Sequence, residues 1–131
     1  MNMRNIRFRG KDKKTGKWVY GDFTHTKGIR AESESLTYDR VMVGGYEVDE
    51  DTVGQYSGMK DFDSCKIYEL DIVEWEGELY VIVFRSGMFY ASIHECNPNS
   101  YGGYPLWILC AGNCKIKGNI LDNPELIEGG G

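Results

Sequence analysis

The chain has 131 residues, which is about the length of one domain and is enough to bury a hydrophobic core without disulfides or a metal. Hydrophobic residues make up 41% and charged residues 27%, a composition typical of globular proteins and not of disordered ones. No apolar run approaches the ~18 residues of a membrane span, and residues 1–7 lack the apolar stretch of a signal peptide. We therefore expect a cytoplasmic protein that has no membrane association.

The net charge of −5 hides an uneven distribution along the chain. Residues 1–30 contain nine basic and two acidic side chains, a net charge of +7, so residues 31–131 carry −12. Opposite charges of this kind can attract one another within a fold or between subunits, and they can also offer a basic patch to a phosphate backbone. We favour internal or inter-subunit balance, because strand faces turned to water are normally charged.

The dominant period of the pattern is two, and the segments are short and separated by turn residues, which predicts a mostly β protein. In residues 4–9, Ile6 and Phe8 fall on one face, which we expect to be buried, while Arg7 and Arg9 fall on the exposed face.

Residues 13–16 form a turn signal that ends in glycine, and residues 17–23 are expected to return antiparallel to the first strand. Trp18, Tyr20 and Phe23 are the predicted packing groups of this second strand, because aromatic rings bury a large area.

The segment of residues 24–51 has the weakest pattern. A hairpin is predicted where residues 41–43 and 46–48 flank Gly44 and Gly45. Residues 31–35 have no apolar period and are predicted to form an exposed loop. Thr52 follows three acidic residues and either caps one turn of helix or lies in water.

Residues 67–75, 78–84 and 88–93 predict a three-stranded meander with tight turns at Glu76-Gly77 and Ser86-Gly87. A further strand over residues 115–120 is expected to close this meander into a small barrel, which would hide its edges. Trp75 and Phe84 are predicted to fill the core of the barrel. The carboxylates Glu74, Glu76 and Glu78 are predicted to share one solvated strand face.

The fold class we predict is therefore mostly β: a small SH3-like barrel built on the meander, with an additional N-terminal β-hairpin packed on it. A turn-rich loop over residues 97–105 carries Tyr101 and Tyr104, and loops of this length often bind partners.

Motifs for catalysis are not found in the sequence. Residues 54–61 lack the glycine spacing and the Lys-Ser/Thr end of a phosphate-binding loop. The pair Asp61 and Asp63 begins like a calcium loop but lacks its glycine and its final glutamate. No serine or cysteine stands in a recognisable nucleophile elbow. We predict that the protein is not an enzyme and has no cofactor.

The four cysteines are Cys65, Cys96, Cys110 and Cys114. A cytoplasmic protein keeps thiols reduced, so free structural thiols are the expected state. The alternative is a tetrahedral metal site that joins Cys110 and Cys114 to Cys96 and His94, but this spacing matches no standard zinc motif. We predict no metal.

The chain resembles the YopX family of phage and prophage proteins over nearly its whole length. Four stretches carry the resemblance: residues 4–10 (RNIRFRG) with 17–22 (KWVYGD), residues 52–61 (TVGQYSGMKD), residues 67–73 (IYELDIV), and residues 118–120 (GNI) with 123–126 (NPEL). The resemblance implies a β-rich fold with SH3-like elements and a phage or prophage origin. It implies no established activity and no catalytic residue.

The sequence departs from the family pattern at two turns. The family usually has Glu-Gly-Asp where this chain has Leu70 in the middle position, so we expect a turn that does not need a glycine-only conformation. An Asn-Gly-like turn is replaced by residues 62–65, which predicts a different or longer turn. Residues 52–61 themselves are interpreted as a structural corner, and as the best single place to look for a groove.

One YopX-like domain is predicted over residues 1–128, with a hairpin and variable region at 1–51, a barrel core at 52–128 and a disordered tail at 129–131. We expect a non-enzymatic module that binds an unknown phage or host protein or forms a homo-oligomer, in which the basic segment of residues 4–17 meets the acidic hairpin of residues 69–78. The alternative is a nucleic-acid-binding module in which the basic N-terminal strands hold phosphates and Trp18 or Tyr20 stacks on bases. The candidate interaction residues are Tyr56, Tyr101, Tyr104, Arg4, Arg7, Arg9 and Lys17.

Overall fold

A computed structural model describes residues 4–29, 37–93 and 102–127. These residues contain one α-helix, α1 (Leu106–Cys110), and two 3₁₀ helices, Glu50–Thr52 and Pro124–Leu126. The strands are β1 (Phe8–Lys11), β2 (Trp18–Gly21), β3 (Phe23–Ile29), β4 (Thr37–Val43), β5 (Tyr46–Glu47), β6 (Gly54–Lys60), β7 (Lys66–Tyr68), β8 (Asp71–Trp75), β9 (Glu78–Arg85), β10 (Met88–Ser92), β11 (Gly103–Pro105) and β12 (Lys115–Asn119). The prediction of a mostly β protein is confirmed.

The chain divides into two compact units, Met1–Gln55 and Tyr56–Gly131. Strand β6 begins in the first unit, where it pairs with β1, and continues into the second unit, where it pairs with β7. The single domain predicted over residues 1–128, its boundary after residue 51 and the packing of the N-terminal hairpin on a barrel stay predictions. The exposed loop predicted at residues 31–35 and the tail at 129–131 lie outside the described residues.

In the first unit, β1 and β2 form the predicted antiparallel hairpin, in register from Phe8 opposite Gly21 to Lys11 opposite Trp18. Gly16 in the connecting turn has a φ of 71°, which favours glycine. The Gly16 amide donates to the Asp12 carbonyl at 2.8 Å, and the Lys14 amide donates to the Asp12 carboxylate at 2.8 Å. Backbone and side chain of Asp12 therefore both fix this turn.

The hairpin predicted around Gly44 and Gly45 is also confirmed, because β4 pairs antiparallel with β5. Both glycines have positive φ, 60° and 89°, as a type I′ turn requires. At Gly44 a Cβ atom would overlap the carbonyl oxygen of Tyr20, whereas at Gly45 it would meet open space. The β4–β5 turn can therefore lie this close to the end of β2 only with glycine at position 44.

The core of the first unit is small. Val41, Val43 and Val48 are its fully buried members, and Phe8, Val19 and Val53 pack against them. A Cβ atom at Gly10 would stand only 3.1 Å from Val48, so β1 lies closely against this core. The 3₁₀ helix Glu50–Thr52 is bonded to β1 through Thr52. The Thr52 hydroxyl donates to the Asp49 carbonyl at 2.6 Å and accepts the Lys11 amide at 2.8 Å.

In the second unit a five-stranded antiparallel sheet has the strand order β11-β10-β9-β8-β12. The predicted meander is confirmed as β8-β9-β10, and the predicted last strand, β12, pairs with β8. Glu76, Gly77, Ser86 and Gly87 in the two tight turns all have positive φ. No sheet in the described parts of the chain closes on itself, so the predicted barrel is wrong as a closed structure.

One face of this sheet forms the larger core. Val73, Tyr80 and Ile82 pack there with Leu106 and Leu109 of α1. The register places Trp75 and Phe84 on this same face, as predicted, but only Trp75 packs against the core. Phe84 is 56% exposed and lies one residue from the end of β9. The prediction that Phe84 fills the core is wrong.

The carboxylates of the β8–β9 hairpin do not share one face as predicted. Glu74 lies opposite Leu79, and Glu78 lies opposite Trp75, so Glu74 and Glu78 belong to opposite faces. Glu76 stands in the turn between them. A two-residue turn shifts the alternation, which a simple count across the turn misses.

Leu70 has a φ of 75°, in the left-handed region that favours glycine. Its amide donates to the Ile82 carbonyl at 2.7 Å, and its carbonyl accepts the Ile120 amide at 2.9 Å. The next residue, Asp71, is buried and its carboxylate accepts the Tyr68 amide at 2.8 Å. The turn therefore does not need glycine, as expected, although leucine here adopts a φ that glycine favours, held by these hydrogen bonds.

The turn at residues 62–65 does differ from an Asn-Gly turn, as predicted. One carboxylate oxygen of Asp61 accepts the amides of Asp63 and Cys65, and the other accepts the Ile116 amide at 3.0 Å. Asp61 is buried. These bonds explain Asp61 as a structural residue that ties the turn to β12.

Candidate interaction surfaces

The β1–β2 hairpin carries a face of cations and aromatic rings. The Arg9 guanidinium lies 4.5 Å from the ring centre of Trp18, and the Lys11 ammonium lies 5.3 Å from the same ring. The Arg7 guanidinium lies 5.7 Å from the ring centre of Tyr20. The register explains this contact set, because alternate residues of β1 and the aromatic residues of β2 project to the same side.

This arrangement corrects the predicted inner face of the second strand. The first strand faces as predicted at Phe8, which packs on the valine core, and at Arg9, which lies on the other side, although Arg9 is buried there. Val19, and not Trp18 or Tyr20, packs on the valine core. Tyr20, Phe23 and Ile6 are exposed, and Phe8 is half-buried. The hydrophobic pattern predicted that Trp18 and Tyr20 face the core. Cation–π contacts stabilise these two rings on the opposite face.

The predicted interaction residues are divided between the two units. In the first unit Arg4, Arg7 and Lys17 are exposed, whereas Arg9 is buried. In the second unit Tyr104 is exposed and Tyr56 is buried, and Tyr101 lies outside the described residues. Burial removes Arg9 and Tyr56 from any surface that a partner can touch. Partner binding by the other residues stays a prediction.

Tyr56 is a packing residue. Its ring lies 5.5 Å from that of Tyr68, directly across the β6–β7 pair, and the Lys66 ammonium lies 5.9 Å from its ring centre. Burial, together with the nearby Cys110, raises the pKa of the Tyr56 hydroxyl above its ordinary value.

Tyr104 completes a cluster of three rings at one end of the sheet. Its ring lies 5.4 Å from that of Trp75, edge to face, and 6.1 Å from that of Tyr80. The pKa of Tyr80 is raised by burial first and by Tyr104 second. Gly112 lies against Trp75, because a Cβ atom there would overlap the indole nitrogen.

An exposed apolar patch in the second unit is formed by Met88 and Trp107, which are 43% and 60% exposed. Phe84 is 56% exposed but does not belong to this patch, because the register places it opposite Phe89, on the other face of the sheet from Met88. Met88 and Trp107 border a shallow cavity of about 190 Å³, whose other lining residues are Ser57, Met59, Phe89, Pro105 and Leu106. Ser57 and Met59 belong to the segment in which the sequence suggested a groove. The patch itself was missed, because α1, which carries Trp107, was not predicted.

A basic groove of about 430 Å³ lies in the first unit. The turn after β1 forms one wall and the β4–β5 hairpin forms the other. The lining residues are Asp12, Lys13, Lys14, Thr15, Arg40, Met42, Gly45, Tyr46 and Glu47. Lys13 and Lys14 were recognised in the sequence as basic residues of the N-terminal strands, but Arg40 and Tyr46 come from a hairpin whose position could not be predicted.

Cys110 and Cys114 form a thiol pair around the end of α1. The Cys114 thiol donates a hydrogen bond to the Cys110 sulfur, which lowers the pKa of Cys110 and raises that of Cys114. Cys114 is fully buried and Cys110 is half-buried. Cys65 is exposed.

Within the described residues, no group of three or more His, Cys, Asp and Glu side chains is placed to hold a metal ion. His94 and Cys96, the other half of the metal set considered from the sequence, lie outside those residues, so the assignment of the cysteines as structural thiols stays a prediction. No helix in the described part of the chain has the length and apolar character needed to cross a bilayer.

Comparison with known proteins gives a family and a fold. The chain is similar to the crystal structure of protein EF1440 from Enterococcus faecalis, with 19% sequence identity, a TM-score of 0.56, and coverage of 96% of this chain and 100% of that one. No curated protein matches the chain. The family model described as YopX protein matches residues 7–128, nearly the whole length. The chain therefore belongs to the YopX family.

Proposed function

We propose that the protein is a non-enzymatic interaction module that self-associates through the apolar patch of its second unit. The observation that carries this proposal is the exposure of Met88 and Trp107 beside an apolar cavity. Large apolar side chains gathered on a surface are typical of sites that are covered by another protein. Tryptophan and other aromatic side chains also supply much of the binding energy in such interfaces.

Charge supports a second copy of the chain as the occupant of this surface. Residues 1–30 carry a net charge of +7 and the remainder −12, so two copies can place opposite charges against one another. Exposed charge pairs alone are weak and are screened over about 8–10 Å at ordinary ionic strength. The apolar patch supplies the part of the association that salt does not screen.

The proposal includes two finer features of the family resemblance. We propose that the protein is encoded by a phage or prophage. If the chain does not self-associate, we propose a phage or host protein as its partner. We also propose that the second unit is SH3-like in its strand arrangement. The β8-β9-β10 meander with β12 added beside β8 supports this view.

The test is the molar mass of the full chain in solution, measured by light scattering coupled to gel filtration at low and high salt. We expect an oligomer at both salt concentrations for the native chain and dissociation for Trp107→Ser. Phe62→Ser is the matched control, because Phe62 is also 60% exposed but does not line the patch cavity. A monomer at tens of micromolar protein under both conditions would overturn self-association.

A second candidate function, nucleic-acid binding, is favoured by the cation and ring face of the β1–β2 hairpin. Arg7 and Lys11 lie over Tyr20 and Trp18, on the side of the hairpin that faces away from the valine core. Basic side chains with aromatic platforms are the usual means of holding single strands. The burial of Arg9 and the overall negative charge weigh against it.

Electrophoretic mobility of single- and double-stranded oligonucleotides at two salt concentrations tests this second function. Binding that weakens steeply with salt is the expected result for a phosphate mechanism. No shift at low salt, or a shift independent of salt, would eliminate it. Arg7→Gln should weaken the mobility shift of the oligonucleotide. Lys117→Gln is the control, because Lys117 is an exposed cation of β12.

A further inference from the structure

The turn after α1 brings Cys110 and Cys114 together. Cys110 is the last residue of α1, and the Ala111 amide, which donates to the Trp107 carbonyl at 3.1 Å, continues the helical bonding by one residue. Asn113 then has a φ of 64°, in the left-handed region that asparagine tolerates, so the helix ends and the chain turns toward β12. The Cys114 thiol thereby returns to hydrogen-bonding distance of the Cys110 sulfur.

Burial separates the roles that the two sulfurs can take. Cys114 is fully buried in the core of the second unit, and its carbonyl accepts the Phe62 amide at 2.8 Å, which holds this residue in place. Cys110 packs against the same core but is only half-buried. A reagent in solution can therefore reach Cys110, whereas Cys114 is shielded from it.

The hydrogen bond between the thiols also separates their protonation states. Donation from Cys114 lowers the pKa of Cys110, although burial and the nearby buried carboxylate of Asp61 act in the opposite direction. The same hydrogen bond, together with burial, raises the pKa of Cys114. The exposed member of the pair therefore forms the thiolate more readily, and the thiolate is the form that attacks an oxidant.

We propose that Cys110 is an oxidation site for hydrogen peroxide and that Cys114 converts the oxidised sulfur into a disulfide. In the first step the Cys110 thiolate attacks one peroxide oxygen and the O–O bond breaks. Cys110 becomes a sulfenic acid, and the other oxygen leaves as hydroxide and takes up a proton to form water. In the second step the Cys114 sulfur attacks the Cys110 sulfur, and the sulfenic hydroxyl leaves with the Cys114 proton as water. Two thiols lose two electrons, and one peroxide is reduced to two waters.

The contact between the sulfurs favours this intramolecular second step. A disulfide needs two cysteines whose side chains already point at one another, and the hydrogen bond between Cys114 and Cys110 meets that condition. A buried cysteine without such a neighbour behaves as an inert apolar side chain. The inference goes beyond self-association, because it concerns the covalent chemistry of one chain and needs no second copy.

Peroxide treatment of the variant Cys65→Ser/Cys96→Ser is the test, because Cys110 and Cys114 are then the remaining cysteines. After oxidation, free thiols are blocked with iodoacetamide and the chain is digested with trypsin and chymotrypsin. The peptide of residues 108–115, which contains both cysteines, should lack the mass of two hydrogen atoms and carry no alkyl group. Dithiothreitol should restore both thiols.

Two further substitutions in this background assign the two roles. With Cys114→Ala, Cys110 should stop at the sulfenic acid, which dimedone traps, and excess peroxide should carry it to a sulfinic acid that dithiothreitol does not reverse. With Cys110→Ala, the shielded Cys114 thiol should react with peroxide about tenfold or more slowly than Cys110 does in the Cys114→Ala variant. Circular dichroism and the Tm of each variant confirm that the fold is kept.

Several results would overturn the proposal. Two intact thiols after a treatment that fully oxidises free cysteine would deny the oxidation site. A sulfinic acid at Cys110 while Cys114 is present would show that Cys114 does not form the disulfide. Disulfide-linked dimers in non-reducing electrophoresis would place the partner sulfur on another chain. Equal peroxide rates for Cys110 and Cys114, each measured without the other, would show that burial does not separate their roles.

Discussion

In the first unit, three valines form the fully buried core, whereas eight buried side chains, Leu106 and Leu109 among them, form the core of the second. The first unit compensates by close backbone contact: Gly10 lies against Val48, and Gly44 lies against the Tyr20 carbonyl. The second unit also has glycines in close contact, since a Cβ atom at Gly103 or Gly112 would overlap the Ala91 carbonyl or the Trp75 ring. The comparison indicates that both units need close approach at a few glycines, and that the second unit adds to it a larger core of buried side chains.

The largest expected effect is in the second core. Ile82→Ala should reduce the free energy of unfolding by about 2–5 kcal/mol, because it opens a cavity at a fully buried site. Phe84→Ala, two residues along on the same face, should cost about 1 kcal/mol or less, since its main contact is the edge of Phe89 at 5.1 Å. Chemical denaturation measures both. Equal losses of unfolding free energy in the two variants would mean that the core extends as far as Phe84.

In the first unit, the matched pair Gly44→Ala and Gly45→Ala tests the close approach. Both substitutions place alanine at positive φ, which costs about 1 kcal/mol. Only Gly44→Ala also forces a Cβ atom into the Tyr20 carbonyl, so it should cost about 2–4 kcal/mol in total. Thermal unfolding of the two variants is the measurement. If Gly45→Ala proved the more damaging, the close-approach explanation of this unit would fail.

Leu70 allows the reverse experiment in the second unit, where glycine should help. Leu70→Gly and Leu70→Ala lose the same packing beyond Cβ, but only glycine adopts a φ of 75° without strain. Leu70→Gly should therefore be more stable than Leu70→Ala by about 1 kcal/mol. Denaturation midpoints compare them directly, and a more stable alanine variant would show that this turn carries no strain.

The smallest effect concerns the thiol pair. Because the Cys114 thiol holds the pKa of Cys110 below its ordinary value, Cys110 has more thiolate at neutral pH and should react faster with iodoacetamide. Cys114→Ala should move the pH midpoint of Cys110 alkylation upward and slow it about three- to tenfold at pH 7. Cys114→Ser keeps a hydrogen-bond donor, so it should move the midpoint and slow the alkylation less than Cys114→Ala.

Mass spectrometry of the alkylated peptides, with exposed Cys65 as the internal reference, follows the reaction. A midpoint for Cys110 that stays in place in Cys114→Ala would deny the hydrogen bond.

Much of the local structure could be predicted, because turns depend on nearby residues. Gly44-Gly45, Glu76-Gly77 and Ser86-Gly87 marked three hairpins that the structure contains. The inward face of β2 could not be predicted, since Trp18 and Tyr20 contact cations, which a hydrophobic pattern does not take into account. Leu70 shows the same limit, because long-range hydrogen bonds hold a conformation that its residue type disfavours.

The candidate surfaces were harder to predict than the elements that carry them. The basic character of Lys13 and Lys14 is visible in the sequence, but the other wall of the groove is the β4–β5 hairpin, which the long-range hydrogen bond from the Lys13 amide to the Glu47 carbonyl holds beside them. The apolar cavity beside the patch is lined by residues of β6, β10 and α1, which only long-range packing brings together.

The three tryptophans give the two units separate optical signals. Trp18, half-buried beneath Arg9 and Lys11, belongs to the first unit, while Trp75, half-buried, and Trp107, exposed, belong to the second. Replacing Trp75 and Trp107 with phenylalanine leaves a chain whose tryptophan fluorescence reports only on the first unit. Replacing Trp18 instead leaves a chain whose tryptophan fluorescence reports only on the second. The placement of these indoles thus allows the unfolding of each unit to be followed within one intact molecule.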